Sequence, residues 1–548
     1  MRVPLPAAAL AIAISVIAAT WPFAFELSRG VSDLGDPMLN SWALAWVART
    51  LPHAPAAIFD ANIFFPETST LAYSEPLIVP ALLVAPLLWL GGDPILAHNL
   101  LVLIGYAGSG LAMFVLVRGL TGQDGAALVA GVMFAVFPYR TESFAKVQME
   151  MTMWWPIALW CVHRAAAETA RRRWGLLLGL SLALQAYSGV YLAAYGLVTA
   201  GVVALAAWLT APPARRARLL ATFAMAGLLA TVLTLPLALA FQRASARVGE
   251  RNLEAAQVYS AEWRDYLRPH PEQQWWGVPA SPGPAERRLF PGYVAPALAV
   301  AGAVAGGPMA AAYGAAAILN VYLSRGANTA PFRWLFTHAA PMRAFRVPAR
   351  FGMLLGLVLA VLSGYAVARL TRGRSRAITT LIVAACVFGS VGEGRIRPPE
   401  LSSPGERAPS VYDWLARQDR GAVCEFPLRD LRGRVGPQDA TYMYYSARHW
   451  QPLVNGYSGF TPPSYEALVD GLRGFPDGAA VATLQAHHVR YLLVHERYYV
   501  TGDFAGDVAA LRAHPDLQWV GSFTWADRTR TDAFTVTPRQ PGRADGGL

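Results

Sequence analysis

Ser32-Asp33-Leu34-Gly35-Asp36-Pro37 stands just beyond an apolar run, Val3 to Phe25, that is long enough to cross a bilayer. An acidic loop tied to a membrane-length segment sets the reading of everything that follows. From Glu26 to Glu75 there are six carboxylates (Glu26, Asp33, Asp36, Asp60, Glu67, Glu75) against two arginines, Arg29 and Arg49. A carboxylate held at a helix end outside the bilayer is placed to take a proton from a substrate hydroxyl or amine. A plainer role is compatible with that one: Asp36 before Pro37 reads as the N-cap and N1 pair of an amphipathic helix from Met38 to Arg49.

Composition sets the class. A 548-residue chain with 54% hydrophobic and only 15% charged residues is a polytopic membrane protein, mainly α, rather than an ordinary soluble domain. Its net charge of +11 resides in short arginine clusters between apolar runs, a pattern that encodes topology and not a nucleic-acid face. Lys146 is the only lysine, read as compositional bias with little chemistry. Cys161 and Cys386 lie in apolar runs and Cys424 lies far along the chain, so no disulfide framework or cysteine zinc site is implied. The run Val3 to Phe25 is too long for a signal-peptide core and holds Pro22 after Trp21, so an uncleaved first helix is expected.

Three arginine clusters orient the chain: Arg171-Arg172-Arg173; Arg215, Arg216 and Arg218; and Arg369, Arg372, Arg374 and Arg376. Read as cytoplasmic turns, they predict about 11 transmembrane helices with the N-terminus cytoplasmic and the C-terminus extracytoplasmic. Outer loops are expected at 26–94, 139–151, 241–288 and 325–349, within a membrane domain spanning 1–394. Pro76 to Leu90 is too short and too rich in proline to cross, and reads as an interfacial or re-entrant element. Tyr187-Ser188-Gly189 fits two short helices or one kinked helix. Residues 395–548 are polar enough for an outer soluble domain of α/β type. Helices are expected at Val411–Gln418 and Gly506–His514, strands at Ala422–Leu428 and Tyr491–His495, and a hairpin at Trp519–Thr537.

Beyond Asp33 and Asp36, loop 139–151 brings Glu142, Gln148 and Glu150 to the same side. These are candidates for holding donor, acceptor or a divalent cation, set against a merely solvated loop. Arg343, Arg346 and Arg350 stand at the outer end of a helix, where the orientation rule disfavours them. A guanidinium fork suits phosphate oxygens there, against snorkelling to headgroups. The aromatic segment with Tyr259, Trp263, Tyr266, Trp275 and Trp276 suits sugar or lipid contact, and Asn455-Gly456-Tyr457-Ser458-Gly459-Phe460 is a turn-rich loop able to touch an acceptor. The sequence holds no Walker-type loop, no HExxH and no CxxC. Acidic residues at mid-membrane depth, expected of an ion-coupled carrier, are scarce.

An early acidic outer loop, the amphipathic piece after it, about 11 helices and a C-terminal outer domain together resemble the GT-C-type membrane glycosyltransferases, a class that includes protein mannosyltransferases and oligosaccharyltransferase. Gly35-Asp36-Pro37 with Trp42 and Trp46, Asn62-Ile63-Phe64-Phe65-Pro66, and the segment Arg346 to Phe351 look like a bacterial branch of that class. The resemblance implies a polyprenyl-phosphate sugar donor, an envelope acceptor and the bacterial cytoplasmic membrane. It also implies an outer-loop aspartate, Asp36 or Asp33, acting as base or metal ligand. The adjacent acidic pair of some members is absent, since Asp33 and Asp36 stand three apart, which leaves a divalent cation open. The competing expectations are a transporter or lipid flippase and, third, a non-catalytic envelope protein for which so many helices are superfluous.

Overall fold

The computed structural model describes residues 3–144, 146–168, 171–278, 283–397, 400–406, 409–428, 438–499 and 502–538. Five helices among them are long and apolar enough to cross a membrane: Pro94–Thr121, Val190–Thr210, Pro213–Val248, Pro348–Thr371 and Arg376–Gly394. Shorter apolar helices run over Leu5–Ala19, Ile78–Trp89 and Val294–Val304. The N-terminal helix belongs to the core, burying Ala8, Ile12 and Val16. Ile12 fills the space left by Gly110 and Gly131, where the two following helices meet backbone to backbone. Ile78–Trp89 has 12 residues, roughly 18 Å of helix against roughly 30 Å of hydrocarbon, and it exposes Leu82, Leu83 and Trp89.

One helix boundary resolves an alternative left open by the sequence, and another differs from the sequence reading. The chain breaks at Gly189, where an extended residue separates a helix ending at Ser188 from one starting at Val190. The break is held from a distance: the buried Glu75 carboxylate accepts the amides of Val190 (2.7 Å) and Tyr191 (3.2 Å), capping the second helix. By contrast, the helix expected to end near residue 240 continues to Val248, because nothing from Phe241 to Val248 stops it. Gly249, at φ +76°, ends it in the left-handed region that glycine reaches without strain. The outer loop expected at 241–288 therefore begins eight residues later.

Contacts sort the connections between two ends of the helical bundle. At one end Asp124 accepts the Val3 amide at 2.7 Å and pairs with Arg118 at 2.9 Å, while Thr371 donates to Gln123 at 3.0 Å. At the other end lie the acidic loop and the C-terminal segment. There Val31 and Ser402 exchange backbone bonds of 2.9 and 2.7 Å.

The C-terminal segment carries one sheet of order β1-β2-β4-β3, with β1 Ala422–Phe426, β2 Val489–His495, β3 Leu517–Thr524 and β4 Arg530–Val536. Strands β1 and β2 are parallel; β2 with β4 and β3 with β4 are antiparallel. Helices Ser410–Leu415 and Phe504–Ala513 match the sequence reading to within a few residues, whereas Gln438–Ser446, Pro463–Gly471 and Gly478–Ala486 were not foreseen. Under the sheet lies a dry polar cluster. Glu425 and His495, both fully buried, meet at 2.9 Å, and Tyr412 Oη donates to Glu425 at 2.6 Å. Asn455 ties this cluster to the loop that follows, accepting the Glu425 amide at 2.8 Å and donating to Asp439 at 3.1 Å.

The acidic loop is stitched onto this segment. Phe64 donates to Asn455 O (3.0 Å), Phe65 to Leu453 O (2.8 Å) and Leu453 to Asn62 O (2.7 Å), while Val454 donates in turn to Val423 of β1 (2.9 Å). Residues 62–65 thus extend the sheet edge through 453–455. Segments bonded in this way must share one side of any membrane the helices cross. Impermeant labelling of single cysteines at Ser32 and Ser402 is expected to occur from the same side, with Ser375 reacting only from the other. Labelling of Ser32 and Ser402 from opposite sides would contradict this arrangement. Ser143 is buried and is no use as a reporter.

Candidate active site

Asp36 is the first residue of the helix Asp36–Thr50, and Gly35, not Asp36, is its N-cap. The capping role expected of Asp36 is absent; Asp33 instead closes the turn, accepting the Gly35 amide at 2.8 Å. Asp36 is left at the positive end of the helix with one partner from the far end of the chain, Tyr457 Oη, which donates to it at 3.2 Å. Burial raises the Asp33 carboxyl above its ordinary value and the Asp36 charge adds to this, while the Gly35 amide and Lys146 oppose it. Asp33 keeps exposed surface, so water still screens it.

From Asp33 a series of charged and aromatic groups leads to the loop that carries Tyr457, the partner of Asp36. Contacts join these groups except at two steps, where one charge acts on another. Lys146, close enough to act on the Asp33 charge, pairs with Glu286 at 2.9 Å. Glu286 also faces Arg350, whose Nη2 lies 3.7 Å away. Burial disfavours the Glu286 anion, but Lys146 and Arg350 outweigh it and bring its carboxyl down to about 2. The Arg350 guanidinium lies 4.8 Å from the Tyr191 ring, and Tyr191 Oη accepts the Arg346 amide at 3.1 Å. Arg346 lies over Tyr259 at 5.5 Å and acts on the charge of Arg251. Arg251 donates to Gly459 O, two residues beyond Tyr457, and stacks on Phe460 at 3.7 Å.

The candidates from sequence divide clearly on this series. Asp33, Asp36, Arg346 and Arg350 lie on it. Among the described residues Arg346 has no carboxylate partner, and Arg350 Nε is buried without a hydrogen-bond partner. Arg343 is already engaged, pairing with Glu250 at 2.7 Å and donating to Phe336 O and Thr337 O. Gln148 lies one layer beneath, accepting from Asn40 at 3.3 Å, one helical turn after Asp36. Glu150 is fully buried against Arg140 at 3.1 Å, so it reaches no cleft, and loop 139–151 is packed core instead of a solvated loop. Glu142 ends the short helix Pro138–Glu142, and its side chain lies outside the described residues.

Sequence reading passed over Lys146, Glu286, Glu75 and Tyr191. The lone lysine, set aside as compositional bias, is the cation that joins loop 139–151 to the segment around Glu286. Among the described residues no group of three His, Cys, Asp or Glu converges as a cation site, and Asp33 and Asp36 gain no third ligand.

No protein-family model matches the chain, and no curated protein matches it by sequence. Solved structures do match it in fold. The arabinofuranosyltransferase AftD from mycobacteria superposes with a TM-score of 0.61 at 16% identity, over 98% of this chain and 42% of that one. The chain therefore spans less than half the length of that relative. The apo oligosaccharyltransferase of Archaeoglobus fulgidus aligns at a TM-score of 0.48 and 14% identity, over 95% of this chain and 74% of that one. AftD is a GT-C enzyme, and the fold described above is the GT-C fold.

Proposed function

We propose that this chain, a membrane protein with the GT-C fold, moves a sugar from a polyprenyl-phosphate donor to an extracytoplasmic acceptor, with inversion at the anomeric carbon. In this reading residues 1–394 form the membrane domain, 395–548 the outer α/β domain, and the membrane is the bacterial cytoplasmic one. The observation that supports it is that Asp36 stands at a helix N-terminus held by Tyr457, while Arg346 lacks a carboxylate partner among the described residues and Arg350 Nε is buried without a hydrogen-bond partner. Both arginines retain capacity to bind an anion.

The chemistry follows from those groups. Asp36 takes the proton of the acceptor hydroxyl as its oxygen bonds to the anomeric carbon. The bond from that carbon to the phosphate oxygen breaks, and its electron pair leaves with the phosphate. Arg346 and Arg350 meet the charge that builds there, and donors fixed in place beforehand are worth most in such a step. Tyr457 holds the Asp36 carboxylate in one orientation. Arg343 steadies the arginine segment through Glu250. Among the described residues no group of three His, Cys, Asp or Glu assembles a ligand set for a divalent cation, and the step above runs without one.

The test is a reconstitution. Purified protein in liposomes, supplied with a panel of polyprenyl-phosphate sugars labelled in the sugar and with envelope extracts, is expected to yield a covalent product by mass spectrometry. Movement of labelled lipid across the bilayer with no covalent product would refute the transferase and establish the flippase reading.

A further inference from the structure

At the opposite end of the helix that Asp36 begins, a cleft of about 810 Å³ opens between the acidic loop and the C-terminal segment. Thirteen residues separate Asp36 from Arg49, roughly 20 Å along the helix, so this cleft is distinct from the series described above. Its volume lies within the range of small-molecule sites.

The lining combines two kinds of group. Trp46, Trp89 and Trp450 are aromatic, and two of them are fixed by their N–H groups: Trp46 donates to Ile58 O at 2.8 Å and Trp89 to Ala48 O at 2.9 Å. Trp450 lies 5.7 Å from Trp46 and holds a φ of +54°, a left-handed conformation costly for a bulky side chain. Such strain persists only where surrounding contacts impose it, and here it delivers an indole to the cleft. The second kind is cationic. Arg49, with its guanidinium 5.1 Å over Trp450, and Arg420, from the turn before β1, line the same cleft.

Neither arginine has a carboxylate partner among the described residues, although two carboxylates line the cleft. Each of those is engaged at one position by another donor, Asp60 accepting the Ser69 amide at 2.8 Å and Glu67 the Ser464 hydroxyl at 2.7 Å, and neither pairs with an arginine among the described residues. Partial burial and, secondarily, the Arg420 charge disfavour the Arg49 cation, and an anion between the two exposed guanidinium groups would offset their repulsion.

We propose that this cleft binds an anionic saccharide, with sugar rings against the tryptophans and a phosphate or carboxylate substituent between Arg49 and Arg420. Aromatic faces suit the C–H surface of a sugar ring, and guanidinium forks suit planar or tetrahedral oxyanions. Asp60 and Glu67 keep free lone pairs for sugar hydroxyls. The site rests on the transferase reading only in that the saccharide would be part of the acceptor; the binding itself does not require transfer.

Calorimetry on the full chain in nanodiscs tests it, using trigalacturonate as the anionic probe, with maltotriose and inorganic phosphate as controls. Trigalacturonate is expected to bind at least about tenfold more tightly than maltotriose, and the Arg49→Ala/Arg420→Ala pair to weaken it by at least about tenfold. Both arginines are exposed, so the variant is expected to melt as the parent does. Arg49→Lys/Arg420→Lys should recover part of the affinity. Trp450→Ala is expected to weaken trigalacturonate but not inorganic phosphate.

Absence of trigalacturonate binding, or binding indifferent to the arginine pair, overturns the proposal. So does co-purification of phosphatidylglycerol that depends on the arginines while trigalacturonate fails to bind, since the oxyanion would then belong to a lipid headgroup. Asp36→Asn should bind trigalacturonate as the parent does. If that variant also transferred sugar normally, the catalytic assignment would fall and the cleft would stand.

Discussion

Asp36→Asn is expected to slow sugar transfer by about 10² to 10⁴, the usual contribution of a general base. The substitution keeps shape and an oxygen for Tyr457, and it removes the negative charge and with it the capacity to take the proton. Because Gly35 caps the helix and Asp36 makes no capping bond, melting temperature and helix content should be unchanged. Turnover in proteoliposomes, measured with the melting curve of the same preparation, separates chemistry from folding. Near-normal turnover would remove Asp36 from the mechanism and direct attention to Asp33, whose carboxyl is raised and which lies beside Lys146.

The second large effect is on stability. Arg140 is fully buried and spends its guanidinium on Phe134 O, Glu150 and Thr152 Oγ1, the last at 2.8 Å. Arg140→Ala leaves Phe134 O, Glu150 and Thr152 Oγ1 without their donor in a buried site, and each buried polar group left unsatisfied costs about 1–3 kcal/mol. Burial already lifts the Glu150 carboxyl against the pull of Arg140, so the variant should bury a neutral acid. Thermal unfolding in detergent should show a loss of many degrees, and Arg140→Met/Glu150→Leu should recover a substantial part of it. A parental melting curve for Arg140→Ala would mean that the pair contributes nothing to the fold.

That the chain is mainly helical with several long apolar helices was legible because apolar length acts locally, and hydrocarbon thickness selects it. Of the about 11 spans expected, five described helices are long and apolar enough to cross. The strands at 422–426 and 489–495 were legible from continuous apolar runs for the same reason. What escaped was long-range. Glu75 caps a helix that begins 115 residues later, and nothing near Glu75 announces it. Loop 139–151 reads as polar and hence solvated, yet the Arg140–Glu150 pair satisfies itself and lets the loop enter the core. Lys146 was dismissed for its rarity, though its role depends on Glu286, 140 residues away. The capping role read into Asp36-Pro37 failed by one position, with Gly35 taking the cap and freeing the carboxylate. Arg343 looked equivalent to Arg346 and Arg350 in sequence, and its bonds to Glu250, Phe336 O and Thr337 O distinguish it.

The stitching of residues 62–65 onto 453–455, and of Asp36 onto Tyr457, carries a consequence for biosynthesis. Tyr457 lies 421 residues after Asp36. A ribosome adds roughly 5–20 residues per second, so a growing chain holds its carboxylate for about 20–80 s before the tyrosine that orients it exists. Through that interval the acidic loop also lacks the backbone partners that fix its shape. The acidic loop is thus made long before its partners, and it reaches its final shape only when the downstream sheet has folded against it.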